Sequence, residues 1–292
     1  MHTDSLPTIG VVAALRAEAR ILTRMADRMM QGLPAKGKIV VRQSGIGLRA
    51  ARRQAEYLAD MCGLLVSFGV SGGLYPALKA GDLILADRVL AWNPELSSII
   101  ASKRRNDKLD PYKLSQTQAL PVSFRADARL IDYIAKKFQE NAIHFYQGPI
   151  LCSPEPISTS ASKLVAHRLT GALAVDMESR AVCEVAAEAG LPFFCLRAVC
   201  DPAGQTVADA LLAAVDEQGN PRIGYLLAHL VRRPWLLRDV IRMAFRLRQA
   251  LVALERVWPL VGELFLPAAD TTRYDAISQV RAGKQQVPAR DV

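Results

Sequence analysis

GLLVSFGVSGGLYPALKAGDLILADRVLAW, residues 63–92, decides how the chain is to be read. It holds two apolar runs, 63–69 and 83–92, with glycines between them. Continuous apolar runs of this length, bounded by turn residues, read as strands buried on both faces. Val70-Ser71-Gly72-Gly73 is expected to close the first run as a glycine turn. Working outward, TIGVVAA (8–14) reads as a first buried strand and 15–30 as a helix. A strand at 38–43 ends in Ser44-Gly45-Ile46-Gly47, and a helix follows over about 48–62. Downstream come a helix at 127–140, strands at 147–153, 172–175 and 193–199, and a helix at 178–189. Apolar runs alternating with helices predict an α/β fold with a central mixed, largely buried sheet flanked by helices. Residues 93–113, with SKRRNDKLDPYK, are expected to be an exposed loop.

The 292 residues suffice for one large α/β domain, assigned here to 1–220, plus a helical basic extension over 221–292. At 51% hydrophobic and 22% charged, the composition is that of an ordinary globular chain. No apolar run reaches the ~18–20 residues that span a bilayer. MHTDSLPTIG has neither the basic nor the apolar region of a secretory signal, so a cytoplasmic location is expected. The five cysteines form no CxxC pair, which points to buried thiols rather than a metal site or disulfides. Of the net charge of +9, most falls in 222–256, where eight arginines face only Asp239 and Glu255. Pro234 is expected to start a helix running to about 257. Its apolar residues, Leu237 to Leu254, recur at helical spacing beside Arg238, Arg242 and Arg246. Another helix is expected over 206–217, a turn at Gly219-Asn220-Pro221, and a frayed tail over the last ~20 residues.

Ligands in open α/β sheets bind where strands end and helices begin. Three strand ends carry acids: Glu18 after the first strand, Asp176 and Glu178 before the helix at 178, and Asp201 after the strand at 193. Singly, each such acid ordinarily serves as a cap or a favourable dipole contact. Three of them from separate strand ends suggest a site.

IGVVAALRAEA, SGIG, FGVSGGLYPALKAGDLILAD, AVDMES and LRAVCDPAG resemble, in order, the landmarks of the nucleoside phosphorylase and methylthioadenosine/adenosylhomocysteine nucleosidase superfamily. The resemblance covers about residues 8–205. DALLAAVDEQGNPR and RRPWLLRDVIR resemble the hopanoid-associated branch of it. The resemblance implies a three-layer phosphorylase-like fold and cleavage of the N-glycosidic bond of an adenine nucleoside, with no cofactor or metal. By it, Glu178 accepts hydrogen bonds from the ribose 2′- and 3′-hydroxyls, Met177 lies against the sugar, and Asp201 protonates the purine N7. Glu18 is the base for the attacking water, its alternative being a solvated first-turn residue. Asp176 reads better as a helix cap. Arg197 either orients a carboxylate in the site or is a buried ion-pair partner. Gly72, Gly73 and Val70 are expected to line the pocket.

Phosphorylases of this superfamily place an arginine before the glycine turn and a serine or threonine within it. Here Ser67 and Val70 stand in those places, and an alkyl group offers an anion no hydrogen bond. Hydrolysis is therefore favoured, with inorganic phosphate as the alternative co-substrate and Arg16 and Arg49 as substitute anion contacts. The branch implies adenosylhopane as substrate, cut to ribosylhopane and adenine. The alternative substrates are methylthioadenosine and adenosylhomocysteine. A lipid-linked substrate gives 222–258 a role as a helix on an anionic membrane, Trp235 and Trp258 near the interface, against simple packing on the domain. Homo-oligomers are the family's habit. A nucleic-acid-binding role is disfavoured, because aromatics are only 6% and no nucleic-acid module is recognised. Decay to a non-catalytic binder is disfavoured because Glu18, Glu178 and Asp201 are all present.

Overall fold

The structure, a computed structural model, describes residues 8–30, 39–92 and 121–262. The expected loop at 93–113 and the expected frayed tail lie outside the described residues. Ile9–Ala13 (β1) is buried throughout and runs parallel to Ile39–Gln43 (β2) and to Leu64–Gly73 (β3). Leu83–Ala91 (β4), Ser123–Arg125 (β5), Phe145–Cys152 (β6), Ala174–Asp176 (β7) and Phe193–Asp201 (β8) complete an eight-stranded sheet. Its order is β2-β1-β3-β7-β6-β4-β5, and β8 pairs with both β3 and β4. The pairings β3–β7–β6–β4–β8–β3 therefore close a ring, which hides the edges of its strands. Direction is mixed: β8 is parallel to β3 and antiparallel to β4.

Arg16–Met30 (α1), Leu48–Ala59 (α2), Ala128–Glu140 (α3), Ser160–Thr170 (α4) and Ser179–Glu188 (α5) flank the sheet. The short Asp209–Leu212 (α6), Ile223–Arg232 (α7) and Leu236–Gly262 (α8) follow. Successive strand side chains point to opposite faces, and β3 divides accordingly. Leu64, Val66 and Phe68 meet α1, α3 and the second half of α8, while Leu65 meets α2 and α5. Ala51 and Ala55 of α2 are fully buried, small enough for the helix to lie close on the sheet.

Three expectations are corrected. Val70-Ser71-Gly72-Gly73 is not a turn: β3 continues through it, Gly72 and Gly73 pairing with Val175 and Ala174 of β7. Instead of a helix over 206–217 there is only α6, then a hairpin closed by a Val215–Pro221 bridge. Trp258 does not reach an interface. It is fully buried, edge-on to Phe68 with ring centroids 5.0 Å apart, and Leu254, Val257 and Val261 share its cluster. The second half of α8 is thus a layer of the main core. Among the described residues beyond 221, α7 and the first half of α8 stand outside it. The five cysteines are free, four of them buried. Among the described residues no helix is long and apolar enough to cross a membrane.

Candidate active site

Each acid singled out in the sequence reaches the same end of the sheet by a different element. Glu18 sits in the first turn of α1 and is 2% exposed, so it is not a solvated first-turn residue. Its Oε2 accepts the Leu15 N–H at 2.8 Å, and its Oε1 accepts the Val70 N–H at 2.8 Å. The carboxylate lies flat on β3 at Gly69, where an added Cβ would stand 2.7 Å from Oε1. Only glycine leaves that space. Burial pushes the Glu18 carboxyl up, against the pull of the two N–H bonds and the Arg197 charge.

Glu178 occupies the N-cap position of α5 and makes no capping hydrogen bond. Its Oε1 instead accepts the N–H of Gly47 at 2.8 Å, and Oε2 accepts the Met177 N–H at 3.3 Å. Gly47 opens α2 with φ 95°, a conformation that favours glycine. Burial first, then the negative charge of Asp176, raises Glu178 to about 7, and Glu18 adds to the rise. The cap is supplied by Asp176, which accepts the Ser179 N–H and, at 2.7 Å, its hydroxyl. Asp176 also accepts from Arg197, at 2.9 Å from Nε and again from Nη2. Arg197 Nη2 donates to Ser67 Oγ at 2.6 Å. Of the two readings of Arg197, the structure shows the buried ion pair, with Asp176 as partner.

Asp201 ends β8 opposite Gly72 of β3. A Cβ on Gly72 would stand 3.2 Å from both carboxyl oxygens. Oδ2 accepts from Lys163 Nζ at 2.6 Å, and the Cys200 thiol lies 3.4 Å from Oδ1. Burial raises the Asp201 carboxyl, and Lys163 opposes the rise. Gly73 meets Val199 and Pro202 rather than an acid. Val70 and Met177 are half-buried, while Arg16 and Arg49 are exposed. Two of the three carboxylates are electrostatically linked: the charge of Glu18 adds to the rise of Glu178. Among the described residues no group of three or more His, Cys, Asp or Glu is placed to hold a metal ion.

Two features escaped the sequence reading. Lys163 of α4 is fully buried, and its signal was register: it lies three residues before the buried Ala166, on the inward face of the helix. The hairpin 215–221 is wedged between the turns that carry Leu15 and Gly47. Ile46 N–H donates to Glu217 O at 2.9 Å and Arg16 N–H to Gly219 O at 3.3 Å. Gly45 (φ 84°) and Gly219 (φ 76°) allow this approach, since a Cβ on either would stand 2.3 or 2.4 Å from a carbonyl oxygen.

The fold is similar to that of 5′-methylthioadenosine/S-adenosylhomocysteine nucleosidase from Neisseria meningitidis, solved with methylthio-immucillin-A. The TM-score is 0.58 at 18% identity, covering 87% of this chain and 97% of that one. The futalosine hydrolase of Helicobacter pylori gives 0.62 at 17% identity, covering 88% and 98%. The adenine complex of the Colwellia psychrerythraea nucleosidase gives 0.60 at 17%, covering 91% and 98%. At such identities the likeness is one of fold. The sequence profile of the phosphorylase superfamily, however, matches residues 8–232, from the first strand through α7 and across every acid described above. By that match the chain belongs to the phosphorylase superfamily.

Proposed function

We propose that the protein hydrolyses the N-glycosidic bond of an adenine nucleoside, and that its substrate is adenosylhopane, yielding ribosylhopane and adenine. The observation that carries the reaction is that Glu18 and Asp201 stand against Gly69 and Gly72 of one strand while the charge of Glu18 bears on Glu178, all three carboxyls raised by burial. The similar folds of adenosine-type nucleosidases and of a futalosine hydrolase support it. As the C1′–N9 bond breaks, Asp201 gives a proton to N7 and adenine leaves neutral. Glu18 takes a proton from the water whose oxygen bonds to C1′, and solvent returns it to Asp201. A base and an acid both raised by burial suit these transfers, and general acid or base help is worth about 10²–10⁴-fold. Glu178 accepts hydrogen bonds from the two ribose hydroxyls, with Met177 as an apolar surface beside the sugar.

Water is favoured over phosphate by a charge argument. Glu18 already takes the Val70 N–H, and its carboxylate would repel an anion there. Ser67 is held by Arg197, and Val70 offers no side-chain donor. The lipid-linked substrate rests on the tail and its surface. Leu237, Ile241, Phe245 and Val252 form an exposed apolar stripe along α8, continued by Trp235 at 68% and by Val231 of α7 at 85% exposure. Arg238 and Arg242, also exposed, run beside it. Such a pairing suits peripheral contact with an anionic bilayer. The test is adenine release from adenosylhopane, with and without phosphate, in competition with methylthioadenosine and adenosylhomocysteine. Ribosylhopane as product supports the reading, and a ribose phosphate makes the protein a phosphorylase. Preference for methylthioadenosine or adenosylhomocysteine would refute the lipid substrate.

A further inference from the structure

Lys163 has no exposed surface, yet it carries an ammonium group into the interior. Nζ lies 2.6 Å from Asp201 Oδ2 and faces the carbonyls of Asp201 (3.2 Å), Pro202 (3.2 Å) and Gln205 (3.0 Å). Four acceptors around three protons hold the charge in place, and one of the four is the proposed acid. Desolvating an ammonium is costly, and a leucine or methionine would fill the same volume without that cost. The carbonyl contacts alone explain a brace for residues 201–205. They do not explain why the shortest contact goes to the Asp201 carboxyl.

We infer that Lys163 is a positioning residue for the departing adenine: it holds Asp201 Oδ2 and sets how readily Oδ1 releases its proton. The inference rests on the reaction proposed above. With Oδ2 engaged by Lys163, Oδ1 has the Cys200 thiol as a weak neighbour at 3.4 Å, and both carboxyl oxygens stand against Gly72, which adds no side chain of its own. When the proton passes from Oδ1 to N7, the electron pair of the C1′–N9 bond stays with the purine. Asp201 becomes a carboxylate, and the buried ammonium stabilises it. The charged and titratable groups bearing on Asp201 are Lys163 from α4 and Cys200 on its own strand. Burial raises the Asp201 carboxyl and Lys163 opposes that rise, so the ammonium makes the proton easier to give up than burial alone would leave it.

The test uses the full chain with Lys163→Met and two substrates, adenosine and 4-nitrophenyl riboside. The nitrophenolate leaves without protonation, so its departure needs neither Asp201 nor Lys163. Without the ammonium Asp201 keeps its proton to higher pH and is a weaker acid. The expected result is a kcat for adenine release lowered at least tenfold, KM changed less than threefold, and the alkaline limb of the kcat profile moved up by at least one pH unit. Nitrophenol release stays within threefold of wild type. Lys163→Arg, which restores the charge, returns the limb toward its original pH. Should Lys163→Met fail to fold, Lys163→Gln keeps a donor without the charge and carries the same test. Equal loss on both substrates, or an unmoved limb, makes Lys163 a brace for the loop and overturns the inference. A wild-type protein that cleaves neither nucleoside nor nitrophenyl riboside refutes the reaction itself. Wild-type adenine release that Asp201→Asn leaves intact refutes the acid assigned to it.

Discussion

Gly69→Ala isolates the placement of Glu18 from its chemistry. The new Cβ would stand 2.7 Å from Oε1, 2.9 Å from Cδ and 3.0 Å from Oε2, face-on to the carboxylate. Gly69 lies outside the left-handed region, so alanine suits the strand itself, and the end of a side chain is what must give. Restoring ordinary contact displaces the carboxylate by about 0.5–1 Å. The 2.8 Å bond from Val70 N–H then lengthens past the useful range of about 3.2 Å. Losing one charge-assisted bond costs about 1.5–3 kcal/mol. Alanine returns about 0.4–1 kcal/mol by restricting the unfolded chain. The net loss of stability is about 1–2 kcal/mol, well within what urea unfolding resolves. A base misplaced by about 1 Å is expected to lower kcat about 10²-fold with little change in KM. Adenine release at saturating nucleoside measures this directly. Glu18→Gln should cost at least as much, and the double variant no more than Glu18→Gln alone, because both changes remove one function. A folded Gly69→Ala protein turning over within threefold of wild type would refute the assignment of Glu18 as base.

Glu178 also leaves a signature in stability. Its ordinary value is 4.5 and its folded value about 7, so the folded protein binds the proton more tightly than the unfolded chain. The stability this gives is complete below pH 4.5 and is lost as pH rises through 7, by at most about 3 kcal/mol. Glu178→Gln has no such titration, so its Tm relative to ligand-free wild type should climb between pH 5 and 8; a constant difference would disprove the raised value. For the tail, cutting the chain at 222 is not a clean test, because it removes Leu254, Val257 and Trp258 from the core. Trp235→Glu with Phe245→Glu alters only exposed positions and should lower binding to anionic vesicles at least tenfold, while adenosine turnover is unchanged. Unaltered vesicle binding, or a change of oligomeric state instead, would show that this face does not meet lipid.

Much of the fold was legible because buried strands and amphipathic helices write their periods into the chain. β1, β4, β8 and α1 fall where the apolar runs and helical spacing put them. The failures have local causes. Glycines at 72 and 73 signal a turn when read along the chain, but they belong to a strand approached closely by Asp201 and Val199 from β8. Trp258 and its neighbours carry the same apolar spacing whether they face lipid or protein. Only the sheet face left open by α1 and α3 decides the matter. Lys163 was missed because a lysine between Ser162 and Leu164 looks solvated when read singly; its register with Ala166 points inward, and its partner Asp201 lies 38 residues on.

The glycines and the acids are therefore one device seen from two sides. Glu18 lies on Gly69, Glu178 takes the N–H of Gly47, and Asp201 stands against Gly72. Each pair joins residues distant in sequence, and each depends on a register: β3 beside β1 and β8, α2 beside α5. A carboxylate can enter an interior only where something receives it: the N–H groups of Leu15 and Val70 receive Glu18, those of Gly47 and Met177 receive Glu178, and Lys163 receives Asp201, while Gly69 and Gly72 leave the room. Removing water around these acids raises them, and backbone donors oppose the rise of Glu18 and Glu178. Compact packing and raised acids thus have a single cause. A substitution at Gly69 or Gly72 should accordingly impair the chemistry more than it impairs the fold.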